Sequence, residues 1–359
     1  MTPTHQTRND GEGVDVTVLV LLRDEERHVE EAVAAMKAQT FEGSVEFLLL
    51  DGGSTDSTLD KLERLIGGDA RFQVEVKTGW SIPQRLNHGL RIARGALIAR
   101  MDAHAVFPPN YLSDGVRRLA AGDVASVSGP QVASGTDGWP RAIALALRSP
   151  LGRGGARFRQ VTASEIDVDS GYCGIWTREL LLAHGGWNER ALKGEDMELA
   201  FRVRRAGGRI VCVPSMAARY APRETLGLLA LQYWRYAERR AWAASLDVGV
   251  LRRSHLLPPA FALTVVFACA APGQIARRAR RLLGIYSGAV VVEAIRLGRG
   301  RRPSDVVALP AIFLIMHLAW GFGFLFGCIV NGWPTIARLM GRPVSRDHGL
   351  EGQPDDQRV

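Results

Sequence analysis

Carboxylates collect at four places in the first two hundred residues, each where a structured run gives way to a turn. Asp24-Glu25 follows one apolar run, Asp51-Gly52-Gly53 a second, Asp102-Ala103-His104 a third, and Glu195-Asp196 follows Lys193-Gly194. Each admits more than one chemistry. A carboxylate ahead of two glycines can accept a hydrogen bond from a base or ribose, while the glycines let a ligand approach the backbone. A tight turn capped by aspartate is the plainer reading of the same residues. Asp102 and His104, two apart on an extended chain, point the same way. Together they can hold a divalent ion and leave positions open for a diphosphate; ordinary loop polarity is the plainer reading of the pair alone. Acidic residues at a helix start, such as Glu195 and Asp196, are often plain caps. The same helix field keeps a carboxylate ionised, which a general base for an attacking hydroxyl requires.

A fifth group is aromatic and basic. Gln232-Tyr233-Trp234-Arg235-Tyr236 lies on a long helical run just before a strongly apolar region. Arginine can reach a diphosphate bidentately and aromatic faces can stack on sugar rings. An interfacial belt at a membrane surface has the same composition.

The elements that must position these groups alternate. Val16–Leu22, Val45–Leu50, Phe72–Val76, Ala96–Met101 and Val124–Val132 read as strands. The first is a continuous apolar run of the kind buried on both faces. Between them, Glu25–Gln39, a run opened by a capping-box signature at Ser57 and stopped at Gly67-Gly68, Pro83–Ala93 and Tyr111–Ala121 read as helices. This β-α-β-α rhythm predicts an α/β domain with a mostly parallel sheet, whose ligands bind beyond the carboxyl ends of the strands. The second half is less regular, with helices at Thr177–His184, Glu195–Ala206 and Thr225–Leu246 and a strand at Arg209–Val213.

The 359 residues carry a net charge of +8 from 41 arginines and only four lysines. Arginines crowd beside the apolar stretches, at 252–253, 277–281 and 299–302. That placement suits anionic lipid headgroups. No recognised nucleic-acid motif accompanies the charge, so nucleic acid is not an expected partner. The four cysteines share no metal-type spacing, which argues against a zinc site or disulfide framework and fits a reducing compartment. The polar first 13 residues read as disordered, with no signal peptide. Val306–Val330 contains no charged residue and as a helix would reach about 37 Å, enough for a hydrocarbon core of about 30 Å. His255–Gly273 and Leu282–Leu297 are weaker apolar stretches that suit two further spans or an interfacial hairpin. The organisation expected is therefore a disordered 1–13, a catalytic domain over 14–250, a membrane region over 255–331 and a polar tail over 332–359.

Two enzyme classes lack their signatures. A dinucleotide-dependent oxidoreductase would carry G-x-G-x-x-G after its first strand, and none is there. A nucleotidyltransferase would need a Gly-rich, basic phosphate loop, which Leu22-Arg23-Asp24-Glu25-Glu26 does not supply.

In order, the Asp-Glu-Glu after the first strand, Asp51-Gly52-Gly53-Ser54-Thr55-Asp56, Met101-Asp102-Ala103-His104, and Gly185-Gly186-Trp187-Asn188-Glu189 leading to Gly194-Glu195-Asp196 resemble family 2 glycosyltransferases of the Rossmann-like GT-A fold. Gln232-x-x-Arg235-Tyr236 resembles the Q-x-x-R-W element of processive members, with Tyr236 in place of Trp. His104 stands where the family usually has a second Asp, and Arg23 where an aromatic is common. The likeness covers about residues 14–240 and is strongest to succinoglycan-type glucosyltransferases of bacterial exopolysaccharide assembly.

The resemblance implies an inverting transfer of a hexose, with UDP as the carrier, to a lipid-linked or polysaccharide acceptor in exopolysaccharide or cell-surface glycan synthesis. Asp196 would be the base, supported by Glu195. Asp24, Glu25, Asp51, Gly52, Asp102 and Arg235 would contact the donor, and Trp187, Gln232 and Trp234 the acceptor. Asp102 and His104 would hold Mg²⁺ or Mn²⁺. The enzyme would sit at the inner or plasma membrane with its catalytic domain cytoplasmic. A membrane-bound nucleotidyltransferase and a nucleotide-sugar-binding scaffold without turnover are the alternatives.

Overall fold

A computed structural model describes residues 13–191 and 194–331; the expected disordered residues 1–12 and the tail 332–359 lie outside them. Strand β1 (Val16–Leu22) is buried along its whole length. Its side chains alternate between two cores: Val16, Val18, Val20 and Leu22 enter one, Leu19 and Leu21 the other. That is why the run is continuously apolar rather than alternating. Helices α1 (Val29–Lys37), α2 (Thr58–Ile66) and α3 (Ile82–Ile92) connect β1 to β2 (Val45–Asp51), β3 (Phe72–Val76) and β4 (Leu97–Asp102). The first four strands are parallel in the order β3-β2-β1-β4. Register places Leu22 beside Asp51 and Leu21 beside Asp102, so the polar clusters meet at one sheet edge.

Beyond β4 the chain adds β5 (Ala105–Val106), α4 (Tyr111–Leu119), β6 (Ser126–Gly129), β7 (Gln131–Ala133), α5 (Gly138–Leu147), α6 (Pro150–Arg153), β8 (Ile166–Asp167) and β9 (Tyr172–Thr177). Helix α7 (Arg178–Ala183), α8 (Glu195–Arg205), β10 (Ile210–Cys212), β11 (Ala218–Tyr220) and the long α9 (Leu226–Leu246) follow. The large sheet has the order β3-β2-β1-β4-β9-β6-β10-β8, with β9 antiparallel to both its neighbours. A small sheet, β5-β11-β7, lies beside the site.

Several expected boundaries move for physical reasons. The helix expected from Glu25 starts at Val29, because the Glu25 and Glu26 amides donate to Thr58 Oγ1 and Asp56 instead. Ser57 does not cap α2; its hydroxyl donates to Glu26. The expected glycine stop is present, with Gly67 at φ 54°. The single strand expected over Val124–Val132 is two strands in two sheets. Pro130 cannot donate to a ladder, and a Cβ on Gly129 would fall 1.7 Å from the Met216 carbonyl oxygen.

The C-terminal helices are α10 (Arg253–Ala270), α11 (Gly273–Gly298) and α12 (Pro303–Val330). Of these, α10 and α12 are long and apolar enough to cross a membrane by length and composition. The weak stretch at Leu282–Leu297 is the second part of α11, whose first turns hold the arginines. Helix α12 packs on α9 and α5 on one side and on α10 and α11 on the other.

Candidate active site

The centre of the site is a buried arginine that sequence reasoning did not select. Arg100, in β4 two residues before Asp102, is 6 % exposed. Its guanidinium donates to Asp102 (3.3 Å), Glu195 (2.9 Å) and Asp196 (2.6 Å). One cation thus gathers the carboxylates from the end of β4 and the start of α8. The signal was an arginine inside an otherwise apolar strand, on the same face as Asp102.

Glu195 is buried, and its second carboxylate oxygen accepts the Gly194 amide at 2.9 Å. Asp196 is more open, with a quarter of its side chain exposed (26 %). Its other oxygen accepts from the Trp187 indole Nε1 at 3.1 Å. Burial, together with the charges of Glu195 and Asp102, outweighs Arg100 and Trp187 and pushes the Asp196 carboxyl up to about 6. Asp102 goes the other way: burial opposes its ionisation, but Arg100 and His104 hold it below the usual carboxylate range.

Asp102 and His104 are joined by a turn and not by the strand alternation that the sequence suggests. The strand ends at Asp102 and the chain turns through Ala103-His104. His104 Nδ1 lies 3.5 Å from Glu25 Oε1. Burial would lower the imidazole, but Glu25 and Asp102 raise it. Among the described residues no group of three or more His, Cys, Asp or Glu side chains gathers to hold a metal. A carboxylate plus a histidine backed by a second carboxylate still fits a cation that takes its remaining ligands from phosphate and water.

The expected donor residues build the floor of the site. Asp51 is fully buried, and its carboxylate accepts the Gly53 and Ser54 amides and the Ser54 hydroxyl. Asp24, at φ 53°, accepts the Thr55 amide at 2.7 Å, zipping the β1 and β2 loops together. A Cβ on Gly52 would meet the Arg85 guanidinium carbon at 2.9 Å. Arg85 in turn donates to the Leu22 and Leu50 carbonyls, which ties the ends of β1 and β2. In this conformation Asp24 and Asp51 hold the loops rather than face outward. Cys173 (φ 49°) is buried against Asp102. It and Asp24 are the two non-glycine residues with positive φ among those described, and both flank the site.

The three expected acceptor residues, Trp187, Gln232 and Trp234, have different surroundings. Trp187 is 1 % exposed, stacks edge-on against Trp176 and orients Asp196. Gln232 is buried and donates to the Tyr236 hydroxyl at 3.0 Å. Trp234 lies on the far side of α9, its ring 5.4 Å from that of Phe326 in α12. Arg239 of α9 lies toward the site, with Tyr236 and Arg235 as its neighbours on that helix; its guanidinium, lowered to about 10 by burial, feels the charge of Glu195. Tyr236 is 36 % exposed, the most open aromatic of the Gln232–Tyr236 group.

A mostly parallel sheet with a carboxylate cluster at its carboxyl edge, β4 ending in an Asp and a second carboxylate pair opening α8, defines a GT-A-type transferase domain. Residues 17–182 match the family model described as Glycosyl transferase family 2. Glu195 and Asp196 lie past the matched segment. The chain is 26 % identical over 310 residues to Succinoglycan biosynthesis protein ExoA of Rhizobium meliloti, covering 86 % of this chain and 93 % of that protein. It is 31 % identical over 109 residues to an uncharacterized glycosyltransferase of Haemophilus influenzae, covering 30 % and 33 %. Among solved structures it is similar in fold to the mannosyltransferase PcManGT from Pyrobaculum calidifontis in complex with GDP-Man and Mn²⁺. That match has a TM-score of 0.58 and 19 % identity, over 85 % of this chain and 86 % of the other.

Proposed function

We propose that this glycosyltransferase moves a hexose from a nucleoside diphosphate sugar, UDP-hexose by its family resemblance, to a hydroxyl of a lipid-linked or polysaccharide acceptor, with inversion. The observation that carries the reading is the state of Asp196. It is a partly open carboxylate, fixed by Arg100 and Trp187 and poised near neutral pH beside the residue that closes β4. A base in this position takes the proton from the acceptor hydroxyl as its oxygen attacks the anomeric carbon. The bond to the nucleoside diphosphate breaks on the opposite face. As Asp196 gains the proton it loses its negative charge, while Arg100 continues to pair with Glu195 and Asp102. Asp102 and His104 would hold a divalent cation, which supplies charge stabilisation to the departing diphosphate. Arg235 and Arg239 on α9 are suited to the phosphates, and Tyr236 to a sugar face.

The R. meliloti relative, by its name, acts in succinoglycan biosynthesis, and the Pyrobaculum structure holds GDP-Man with Mn²⁺. The first supports a glycan product, and the second a sugar-nucleotide donor with a divalent cation. The apolar C-terminal helices support work at a membrane; the cytoplasmic face of the inner or plasma membrane is the side we propose.

The test is a panel of nucleotide sugars incubated with the purified chain and membrane lipid extract, read by mass spectrometry. One UDP-sugar should be consumed and one hexose added to a lipid-linked or glycan product. Excess EDTA should abolish transfer, and Mg²⁺ or Mn²⁺ should restore it. Donor binding without turnover would make the protein a scaffold, and full activity in EDTA would remove the cation from the account.

A further inference from the structure

We infer that α10–α12 hold the protein flat on an anionic bilayer through the outer face of α10 and α11, and that α12 does not cross the bilayer. This rests on the membrane association proposed above and concerns its geometry.

Helix α12 has the composition of a span, but its contacts run along its whole length. At its start Asp305, 5 % exposed, accepts a forked pair of bonds from Arg141 of α5. Further along, His317 Nε2 lies 3.0 Å from the Leu151 carbonyl oxygen. Near its end a Cβ on Gly323 would fall 2.6 Å from the Trp234 carbonyl oxygen, and one on Gly327 would fall 2.9 Å from Glu238 Cα. From Asp305 to Gly327 the helix runs about 33 Å, as much as a hydrocarbon core is thick. A helix standing across a bilayer meets a globular domain at one end. This one meets catalytic-domain segments from one end to the other. If it did cross, α9 would be drawn into hydrocarbon with Arg235, Glu238, Arg239 and Arg240, and each charge would lose its water. The buried glycines and the ion pair instead mark α12 as a core helix.

The surface that remains apolar lies one layer out. Leu257 (69 % exposed) on α10, with Ile285 (71 %), Val292 (67 %) and Ile295 (59 %) on α11, present uncovered side chains. Exposed Arg277, Arg278 and Arg281 stand at one end of that strip and Arg299 and Arg301 at the other. An apolar strip between arginine clusters fits the boundary between acyl chains and anionic headgroups.

The test uses the full chain carrying Cys269→Ala, which removes the exposed cysteine; Cys173, Cys212 and Cys328 are buried. Ser304→Cys and Asn331→Cys then report on the two ends of α12 separately. Each is expressed in bacteria and treated with a membrane-impermeant maleimide, in spheroplasts and in inverted inner-membrane vesicles. Both sites should label in inverted vesicles and neither in spheroplasts. Labelling of one end from each side would make α12 a span and overturn the inference while leaving membrane association intact. In parallel, the purified chain should float with vesicles of phosphatidylglycerol and phosphatidylethanolamine and at least tenfold less with phosphatidylcholine alone. A chain that binds neither, or that stays in solution as a dimer, gives the strip to no lipid and overturns both this inference and the membrane reading.

Discussion

Arg100 meets three carboxylates with one positive charge, and that imbalance sets the chemistry of the site. Asp102 wins its share and stays ionised, whereas Asp196 is raised to about 6 by burial and by its acidic neighbours. A general base must be ionised to act, so kcat/KM should rise with pH through about 6 and level off above it. The Trp187 indole N–H lowers that value by bonding the carboxylate. Trp187→Phe keeps the ring packing and removes the donor, so the acid limb of the profile should move to higher pH. Measuring kcat/KM against pH on both proteins checks this; an unmoved limb would mean that the indole does not hold the base. The carboxylates were legible in the sequence because they follow strands or open helices. Arg100 was not, since an arginine gives no sign that three acids from distant segments will meet it. Trp187 was placed at the acceptor by resemblance alone, and nothing in its sequence neighbourhood shows that its ring completes the core beneath α3 and β9.

At the scale of elements, the parallel half of the sheet was readable from periodicity and the second half was not. Strand β9 enters between β4 and β6 against the direction of both, a pairing fixed by contacts far along the chain. The division of β6 from β7 depends on Pro130 and on the backbone that fits against Gly129. Helix α9 carries two tasks, with Arg239 toward the site and the Trp234–Ala241 backbone against α12. At Gly327 a Cβ would meet Ala241 Cβ at 2.8 Å. Gly327→Leu should therefore force the helices apart and destabilise the protein by about 1–3 kcal/mol. Thermal unfolding should show the loss, and transfer should fall with it because α9 shifts relative to Glu195. An unchanged melting temperature would mean that the α9–α12 contact is not a tight one.

Taken whole, the molecule is more closely integrated than its sequence suggests. Composition divides the chain near residue 250 into a polar part and an apolar part, and a catalytic domain over 14–250 that closes on itself is the natural expectation. The structure closes α5 and α9 with α12, through Arg141–Asp305 and the glycine contacts. Hydropathy cannot separate a core helix from a membrane span, because both are apolar along their length; only the partners tell them apart. The net charge of +8 is concentrated in arginines around that helical layer, where it faces outward rather than toward the site.

The central claim is that Asp196 takes the acceptor proton, and Asp196→Asn tests it most directly. The amide keeps the shape and can still bond to Arg100 or Trp187 in part, but it cannot take a proton. Transfer rate, donor affinity and melting temperature should be measured on the same preparation. General base catalysis is worth about 10²–10⁴ in rate, so transfer should fall by at least about 10² with donor affinity and melting temperature little changed. A folded, donor-binding Asp196→Asn protein that transfers at close to the normal rate would contradict the account.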